Sequence, residues 1–221
     1  MQLFTLSQAQ CKQVDAIAAE RYGISGSLLM EMAGLFATNL LESLIVQGKI
    51  VICCGKGNNA GDGFVMARYL QIRGYEVEIW LEEPPQKLPE DAGRNFDILK
   101  HIMPEAIHYR SHDAGMFEKT LESADWIVDA ILGVGTQGAP REPYATMIRQ
   151  INQAGKKVFA MDVPSGLDAD TGIPHDPTVR AQCTATFMVL KKGFLSPQAS
   201  GMLGRVHVID IGIPSRIFVE I

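Results

Sequence analysis

The segment from residue 55 to residue 63 combines glycine with side chains that could do chemistry. It reads Gly-Lys-Gly-Asn-Asn-Ala-Gly-Asp-Gly, follows the apolar run 50–52 and precedes a helical pattern. A glycine-rich turn between a strand and a helix presents backbone N–H groups that can bind a phosphate. The segment also holds Asn58, Asn59 and Asp62, and an aspartate would repel a pyrophosphate unless it held hydroxyls or a cation. We therefore expect it to bind more than phosphate.

Two further polar segments follow apolar runs in the same way. A glycine-rich turn at 133–139 follows the run 126–130, and the sequence Asp-Val-Pro-Ser-Gly-Leu-Asp at 162–168 follows the run 157–161. In open α/β sheets, ligands bind outside the carboxyl ends of the strands. The polar segments are therefore predicted to meet at one edge of a sheet and to form a binding site there.

Several side chains at or near these strand ends carry hard oxygen ligands. They are Asn59, Asp129, Asp162 and Ser165. Either aspartate taken alone could equally cap or brace a neighbouring loop. Together, the amide, carboxylate and hydroxyl oxygens suit a group 1 or group 2 cation, and too few carboxylates converge for a Ca²⁺ or Mg²⁺ site. A monovalent cation fits this set better.

Strand and helix patterns alternate along most of the chain. Short continuous apolar runs are typical of parallel strands that are covered on both faces. The alternation predicts an α/β fold with a single domain over 1–221, in which a mostly parallel central sheet lies in a three-layer, doubly wound, Rossmann-like arrangement. The predicted strands are 50–54, 76–81, 106–109, 126–130, 157–161, 184–190 and 205–210. The predicted helices are a first one capped by Ser7 that ends near Tyr22, then 27–47, 61–73, 90–103, 114–123 and 143–154.

The composition argues against several function classes. A net charge of −5 and a pI near 5.5 disfavour nucleic-acid binding, which needs a basic surface. Neither a membrane-spanning stretch nor a secretory signal is visible. The four cysteines lack a CxxC spacing and indicate buried free thiols, and the five histidines lack the spacing of zinc ligands. We expect a cytoplasmic protein that binds neither nucleic acid nor membrane.

Separated motifs, in order and over nearly the whole chain, resemble the YjeF N-terminal domain family, the NAD(P)H-hydrate epimerases. The motifs are Leu29-Met30-Glu31-Met32-Ala33-Gly34, the segment 55–63, Asp129-Ala130-Ile131-Leu132-Gly133, Arg141-Glu142-Pro143, Asp162-Val163-Pro164-Ser165-Gly166 and Asp210-Ile211-Gly212-Ile213-Pro214. The resemblance implies an enzyme that interconverts the R and S epimers of NAD(P)HX, which is NADH or NADPH hydrated at the nicotinamide ring. A partner dehydratase that accepts only the S form would complete the repair. The oligomeric state stays open, with a homodimer as one arrangement.

The resemblance also implies roles for individual residues. Asn59, Asp129 and Ser165 match the ligands of a K⁺ ion, one per subunit. Substrate contacts are implied for Asn58, Asn59, Ala60, Gly61, Asp62, Gly133, Val134, Gly135, Thr136, Gln137, Gly138, Ala139 and Asp162.

The chain departs from the usual pattern of this family at three positions. Ala60 replaces a glycine, Val134 stands where threonine is frequent, and Met32 replaces a frequent asparagine. Alanine at position 60 would be strained only if its φ were positive. None of the departures touches the implied cation ligands or Asp162, so they concern affinity more than activity.

Asp162 is the predicted catalytic residue. The hydrate is a hemiaminal, and expulsion of its hydroxyl by the ring nitrogen gives a planar iminium to which water can add from either face. A carboxylate can move both protons and can stabilise the developing cation. Lys191 and Lys192, near the end of the strand predicted at 184–190, could hold a phosphate or tune this aspartate, or could simply be a solvated pair.

Two alternatives to an epimerase remain. The spacing of Gly55, Gly57 and Ala60 fits a dinucleotide fingerprint, and Glu82 could hold a ribose hydroxyl, as in an NAD(P)-dependent oxidoreductase. Asp62 inside the turn, and the lack of an evident hydride-accepting constellation, argue against it. The second alternative is a non-catalytic binding or scaffold module of the same fold, since a fold alone proves no activity.

Overall fold

A seven-stranded parallel sheet forms the centre of the structure, a computed structural model that describes residues 5–45, 47–82, 84–86 and 88–221. The strands of both sheets in the structure, in chain order, are β1 (Thr5–Leu6), β2 (Lys49–Cys54), β3 (Glu76–Leu81), β4 (Ile107–Tyr109), β5 (Trp126–Ala130), β6 (Lys157–Met161), β7 (Cys183–Phe187), β8 (Leu190–Lys191) and β9 (Arg205–Ile209). The spatial order of the main sheet is β4-β3-β2-β5-β6-β7-β9. Strands β1 and β8 pair in parallel in a separate two-stranded sheet.

Helices cover both faces of the main sheet. They are α1 (Gln8–Tyr22), α2 (Gly26–Leu44), α3 (Asn58–Ile72), α4 (Glu90–Ile102), α5 (Ala114–Ser123), α6 (Tyr144–Gln153) and the short α7 (Ser200–Leu203). One apolar core joins α1, α2, α3 and α4 to the sheet, and a second core joins α5 and α6 to its other face. Along β2, Ile52 and Cys54 belong to the first core, whereas Val51 and Cys53 belong to the second. The predicted three-layer α/β fold is confirmed.

The structure corrects several predicted boundaries. Helix α3 begins at Asn58 instead of residue 61, because Gly57 is extended and the helix starts directly after it. The single strand predicted at 184–190 is interrupted after Phe187, since Met188 has a φ of 65° and the chain turns there before β8 begins at Leu190. Helix α2 ends at Leu44 instead of residue 47. Within the described ranges, no helix is both long and apolar enough to cross a bilayer.

The first helix is capped as its sequence predicts. The hydroxyl of Ser7 accepts a hydrogen bond from the backbone N–H of Gln10, and the Gln10 side chain accepts one from the backbone N–H of Ser7. This capping box fixes the start of α1. Because β1 ends at Leu6, directly before the cap, the same contacts hold α1 close to the small β1–β8 sheet.

Candidate functional site

A cavity of about 620 Å³ opens where the strand order of the main sheet reverses. Strands β3 and β4 lie on one side of β2, and the chain then returns to place β5 on the other side. In a doubly wound sheet, such a switch point leaves a crevice at the carboxyl ends of the strands. The volume falls in the usual range of small-molecule sites, which is roughly 300–1,000 Å³.

The structure brings most of the predicted site residues to this cavity. Its walls include Asn58, Asn59, Asp62, Gly133, Val134, Gly135, Thr136 and Asp162. Ala60 and Gly61 are buried in α3 and do not line it, and Gln137, Gly138 and Ala139 are exposed beyond its edge. Ala60 is helical, so the alanine at this position carries no left-handed strain.

Gly55 allows the turn after β2 to pass close to the loop after β5. A Cβ atom at this position would lie 2.0 Å from the carbonyl oxygen of Ile131. Contacts this short do not occur between real Cβ atoms and backbone, so only glycine fits. The close approach places the start of α3 beside residues 131–136 and closes one side of the cavity.

Asp129 and Ser165 form a buried hydrogen-bonded pair beneath the cavity. Ser165 donates its backbone N–H to Oδ2 of Asp129 at 2.7 Å and its hydroxyl to Oδ1 at 2.6 Å. The backbone N–H of Ile131 also donates to Oδ1, at 3.2 Å. Burial raises the pKa of Asp129 to about 6, although these hydrogen bonds favour its charged form. The pair ties the loops after β5 and β6 together.

Asn59 leaves a buried acceptor without a donor. Its Nδ2 donates to the carbonyl of Leu132 at 3.1 Å, but its Oδ1 is buried and has no hydrogen-bond partner among the described residues. The Ser165 hydroxyl lies 3.3 Å from the same Leu132 carbonyl. Buried acceptors in native proteins normally have a partner, which can be a cation or a water molecule. Asn59 and Ser165 therefore both approach the Leu132 carbonyl, and Asp129 is joined to them through Ser165.

Asp162 has an unusual backbone conformation. It follows β6 directly and has a φ of 62°, in the left-handed region that costs a non-glycine residue about 1 kcal/mol or more. Its backbone N–H donates to the carbonyl of Ala185 at 2.8 Å, which continues the pairing with β7. Its Oδ1 accepts from the backbone N–H of Phe187 at 3.2 Å and lies 3.4 Å from the Thr186 hydroxyl. The side chain is thereby held at the wall of the cavity.

Lys191 is buried and pairs with Asp162. Its Nζ lies 2.7 Å from Oδ1 of Asp162 and donates to the carbonyl of Phe187 at 2.9 Å. Only 1% of the residue is exposed, whereas its neighbour Lys192 is exposed. The solvated-pair interpretation is therefore wrong for Lys191, and the interpretation that it tunes Asp162 has direct structural support.

Further carboxyl groups face Asp162 across the cavity. Burial, with the like charges of Asp162 and Asp15, raises the pKa of Asp62 well above its ordinary value. The pKa of Asp15, an exposed residue that lines the cavity, is raised in the same direction by desolvation and by the charge of Asp162, and Lys191 opposes this shift. The raised pKa of Asp62 suits a proton donor, and the several carboxyl groups of the cavity favour a positively charged intermediate.

Sequence reasoning missed the contribution of the first two helices. Lys12 and Asp15 from α1, and Met30 and Ala33 from α2, line the cavity. The 29–34 motif marked α2 only through its family resemblance, and nothing in the pattern of α1 distinguished Asp15 from a surface residue. Both helices reach the site through their packing against the sheet, which no local sequence pattern records.

The fold and cavity define a Rossmann-like α/β protein with a ligand site at its topological switch point. Residues 26–193 match the family model described as "YjeF-related protein N-terminus", and the chain belongs to this family. A yeast protein of solved crystal structure shares the fold, with a TM-score of 0.78 and 24% identity over 86% of this chain and 83% of its own.

Curated relatives cover this chain almost completely. A protein of Rhodopirellula baltica named NAD(P)H-hydrate epimerase is 36% identical over 98% of this chain and 88% of its own length. A protein of the same name from Pirellula staleyi is 38% identical over 94% of this chain and 92% of its own. The "Bifunctional NAD(P)H-hydrate repair enzyme Nnr" of Moorella thermoacetica is 36% identical over 97% of this chain, which spans only 42% of that longer relative.

Proposed function

We propose that this protein is an NAD(P)H-hydrate epimerase, which interconverts the R and S forms of NADHX and NADPHX. The observation that carries the proposal is the Asp162 carboxylate, which is fixed at the wall of the switch-point cavity by Lys191. Membership of the family, and the printed names of relatives that match nearly the whole chain, support it.

The chemistry uses the two aspartates in different roles. Asp62, whose raised pKa favours the protonated form, protonates the departing hydroxyl, while the ring nitrogen lone pair forms a C=N bond and the C–O bond breaks. The Asp162 carboxylate stabilises the planar iminium. Water then adds to either face as a proton returns to a carboxylate, so that the overall reaction changes only the configuration of the carbon.

A potassium ion is part of this proposal. The buried and unpartnered Oδ1 of Asn59, with Asp129 and Ser165 beside it, fits a monovalent cation held by oxygen. When bound, K⁺ would supply positive charge next to buried carboxylate and would anchor the start of α3 to the loop after β5. One ion per subunit is expected.

The proposed partner in metabolism is an NAD(P)HX dehydratase, which is supported by relatives named as bifunctional repair enzymes. A cytoplasmic location, a homodimer, and the absence of nucleic-acid or membrane binding remain predictions. Size-exclusion chromatography with light scattering measures the oligomeric state directly.

The oxidoreductase alternative needs a free Glu82 carboxylate to bind a ribose hydroxyl. Glu82 is buried and pairs with Arg110, whose Nε and Nη2 lie 2.5 Å and 2.8 Å from its two carboxylate oxygens. A carboxylate engaged in this way is not available to a ribose hydroxyl.

The scaffold alternative gains no support from the site, because the buried Lys191–Asp162 pair has no evident task in a non-catalytic module.

The experiment that tests the function supplies R-enriched NADPHX together with an S-specific dehydratase. We expect the purified protein to release the blocked R form for dehydration, which the absorbance of the reduced nicotinamide records. The same protein without dehydratase should interconvert the epimers without changing that absorbance. Release no faster than the spontaneous rate would contradict the proposal.

A further inference from the structure

Lys191 lies in a place where an apolar side chain would ordinarily be expected. It is the only buried lysine among the described residues. Its ammonium group has two identified partners, Oδ1 of Asp162 at 2.7 Å and the carbonyl of Phe187 at 2.9 Å. A buried ion pair is weak evidence for stability, because desolvation of both charges offsets their attraction. Its presence at the cavity wall therefore calls for a role beyond holding the fold together.

The backbone around Lys191 fixes where its ammonium group can lie. The chain leaves β7 at Phe187, turns at Met188 with a φ of 65°, and enters β8, where Lys191 is paired with Leu6 of β1. A 3₁₀ helix begins at Lys192 directly afterwards. With both sides of the residue held by backbone structure, the ammonium group is presented to Asp162 from a fixed position.

Other carboxyl groups near Asp162 would work against its charge. Asp15 faces it from α1, beside the thiol of Cys11, and Asp62 faces it from α3, whereas Lys191 approaches it from β8. Like charges disfavour the ionised form of a carboxyl, and an adjacent ammonium group favours it. In the described structure, Lys191 is the cation in direct contact with Asp162. Without it, the four aspartates that line the cavity, Asp15, Asp62, Asp91 and Asp162, would have no buried counter-charge, since Lys12 and Lys56 in its wall are exposed.

We propose that Lys191 is a positioning residue for the reaction: its buried ammonium group orients the Asp162 carboxylate and keeps it charged. This inference rests on the proposed epimerase function with Asp162 as the catalytic carboxylate. Lys191 acts through Asp162, so its removal has to alter the behaviour of that residue and not only the amount of folded protein.

The first test is the pH dependence of epimerisation in Lys191→Met, with Lys192→Met as a matched control. Loss of the ammonium group should move the acid limb of kcat/KM to higher pH by about one unit or more, because Asp162 would then hold its proton more tightly. Lys192→Met should keep the parental limb, since that side chain is exposed and outside the cavity. An unchanged limb in a folded Lys191→Met protein would overturn the inference.

A second comparison does not depend on a stable Lys191→Met protein. In Asp162→Asn, the further change Lys191→Met removes the buried ammonium group that has lost its counter-charge, so the double variant should fold at least as well as Asp162→Asn alone. If Lys191 acts through Asp162, the double variant should be no slower than Asp162→Asn. A further tenfold loss of rate would show a separate role and overturn the inference. An inactive parent protein would instead contradict the proposed function, so the two failures are distinguishable.

Discussion

Ser165 donates its backbone N–H to one carboxylate oxygen of Asp129 and its hydroxyl to the other, at 2.7 Å and 2.6 Å. The contacts join the loops that follow two neighbouring strands, β5 and β6. Both residues are buried, so no water competes for the hydrogen bonds. The floor of the cavity is therefore held by side chains that could also bind a cation.

Asp129→Ala should destabilise the protein by about 2–4 kcal/mol, because it leaves the Ser165 donors and the Ile131 N–H unpaired in a buried place. Urea unfolding followed by circular dichroism measures the change. Asp129→Asn keeps the shape and one acceptor oxygen, so its loss should be smaller. A loss below about 1 kcal/mol for the alanine variant would show that these hydrogen bonds do not support the floor of the cavity.

The K⁺ site should appear as an ion-dependent increase in Tm. The parent protein should unfold at a higher temperature in potassium chloride than in choline chloride of equal ionic strength, because an ion that binds only the folded chain stabilises it. Asn59→Ala removes the unpartnered Oδ1 and should lose most of this increase. Asn58→Ala, at the exposed neighbouring position, should keep it. Equal Tm values of the parent in both salts would exclude a stabilising K⁺ site.

Asp62 should make the protein less stable as the pH rises. The pKa of Asp62 is higher in the folded chain than in the unfolded one. Above the ordinary value near 3.8, the folded chain therefore keeps a proton that the unfolded chain releases, and the free energy of unfolding falls as the pH rises. Asp62→Asn stays neutral, so its free energy of unfolding relative to the parent should increase as the pH rises above the ordinary carboxyl value near 3.8. Glu122→Gln, on an exposed surface, serves as the control. A relative stability independent of pH would mean that folding does not raise the pKa of Asp62.

Substitution of Gly135 should weaken ligand binding, whereas substitution of Gly55 should lower the stability of the fold. A Cβ atom at Gly135 meets no atom within 4 Å, so Gly135→Leu should fold but should obstruct the cavity that it lines. We expect a higher KM and a weaker affinity for NADPH with a smaller change in kcat. Gly55→Ala would collide with Ile131 and should cost more than about 2 kcal/mol of stability. An unchanged dissociation constant for NADPH in Gly135→Leu would place the ligand elsewhere.

The sheet and the polar strand ends could be predicted from sequence because both depend on local patterns. Apolar runs followed by glycine-rich turns define β2 and β5, and parallel strands bring their ends to one edge. The burial of Lys191 could not be predicted, since it depends on pairing between β8 and β1, which lie at opposite ends of the chain. The positive φ of Asp162 was hidden as well, because a left-handed aspartate has no distinct sequence pattern. Local rules therefore located the site but did not reveal its charge arrangement.

The most direct test of the account is the epimerisation rate of Asp162→Asn, measured beside its affinity for NADPH. Asparagine keeps the size of the side chain and one acceptor oxygen but removes the charge and basicity that lie 2.7 Å from Lys191. We predict a rate loss of about 10² to 10⁴ with little change in affinity, because the carboxylate acts on the iminium and not on the bound ground state. A rate within about threefold of the parent would contradict the account, because the charge of Asp162 would then not be needed for the reaction.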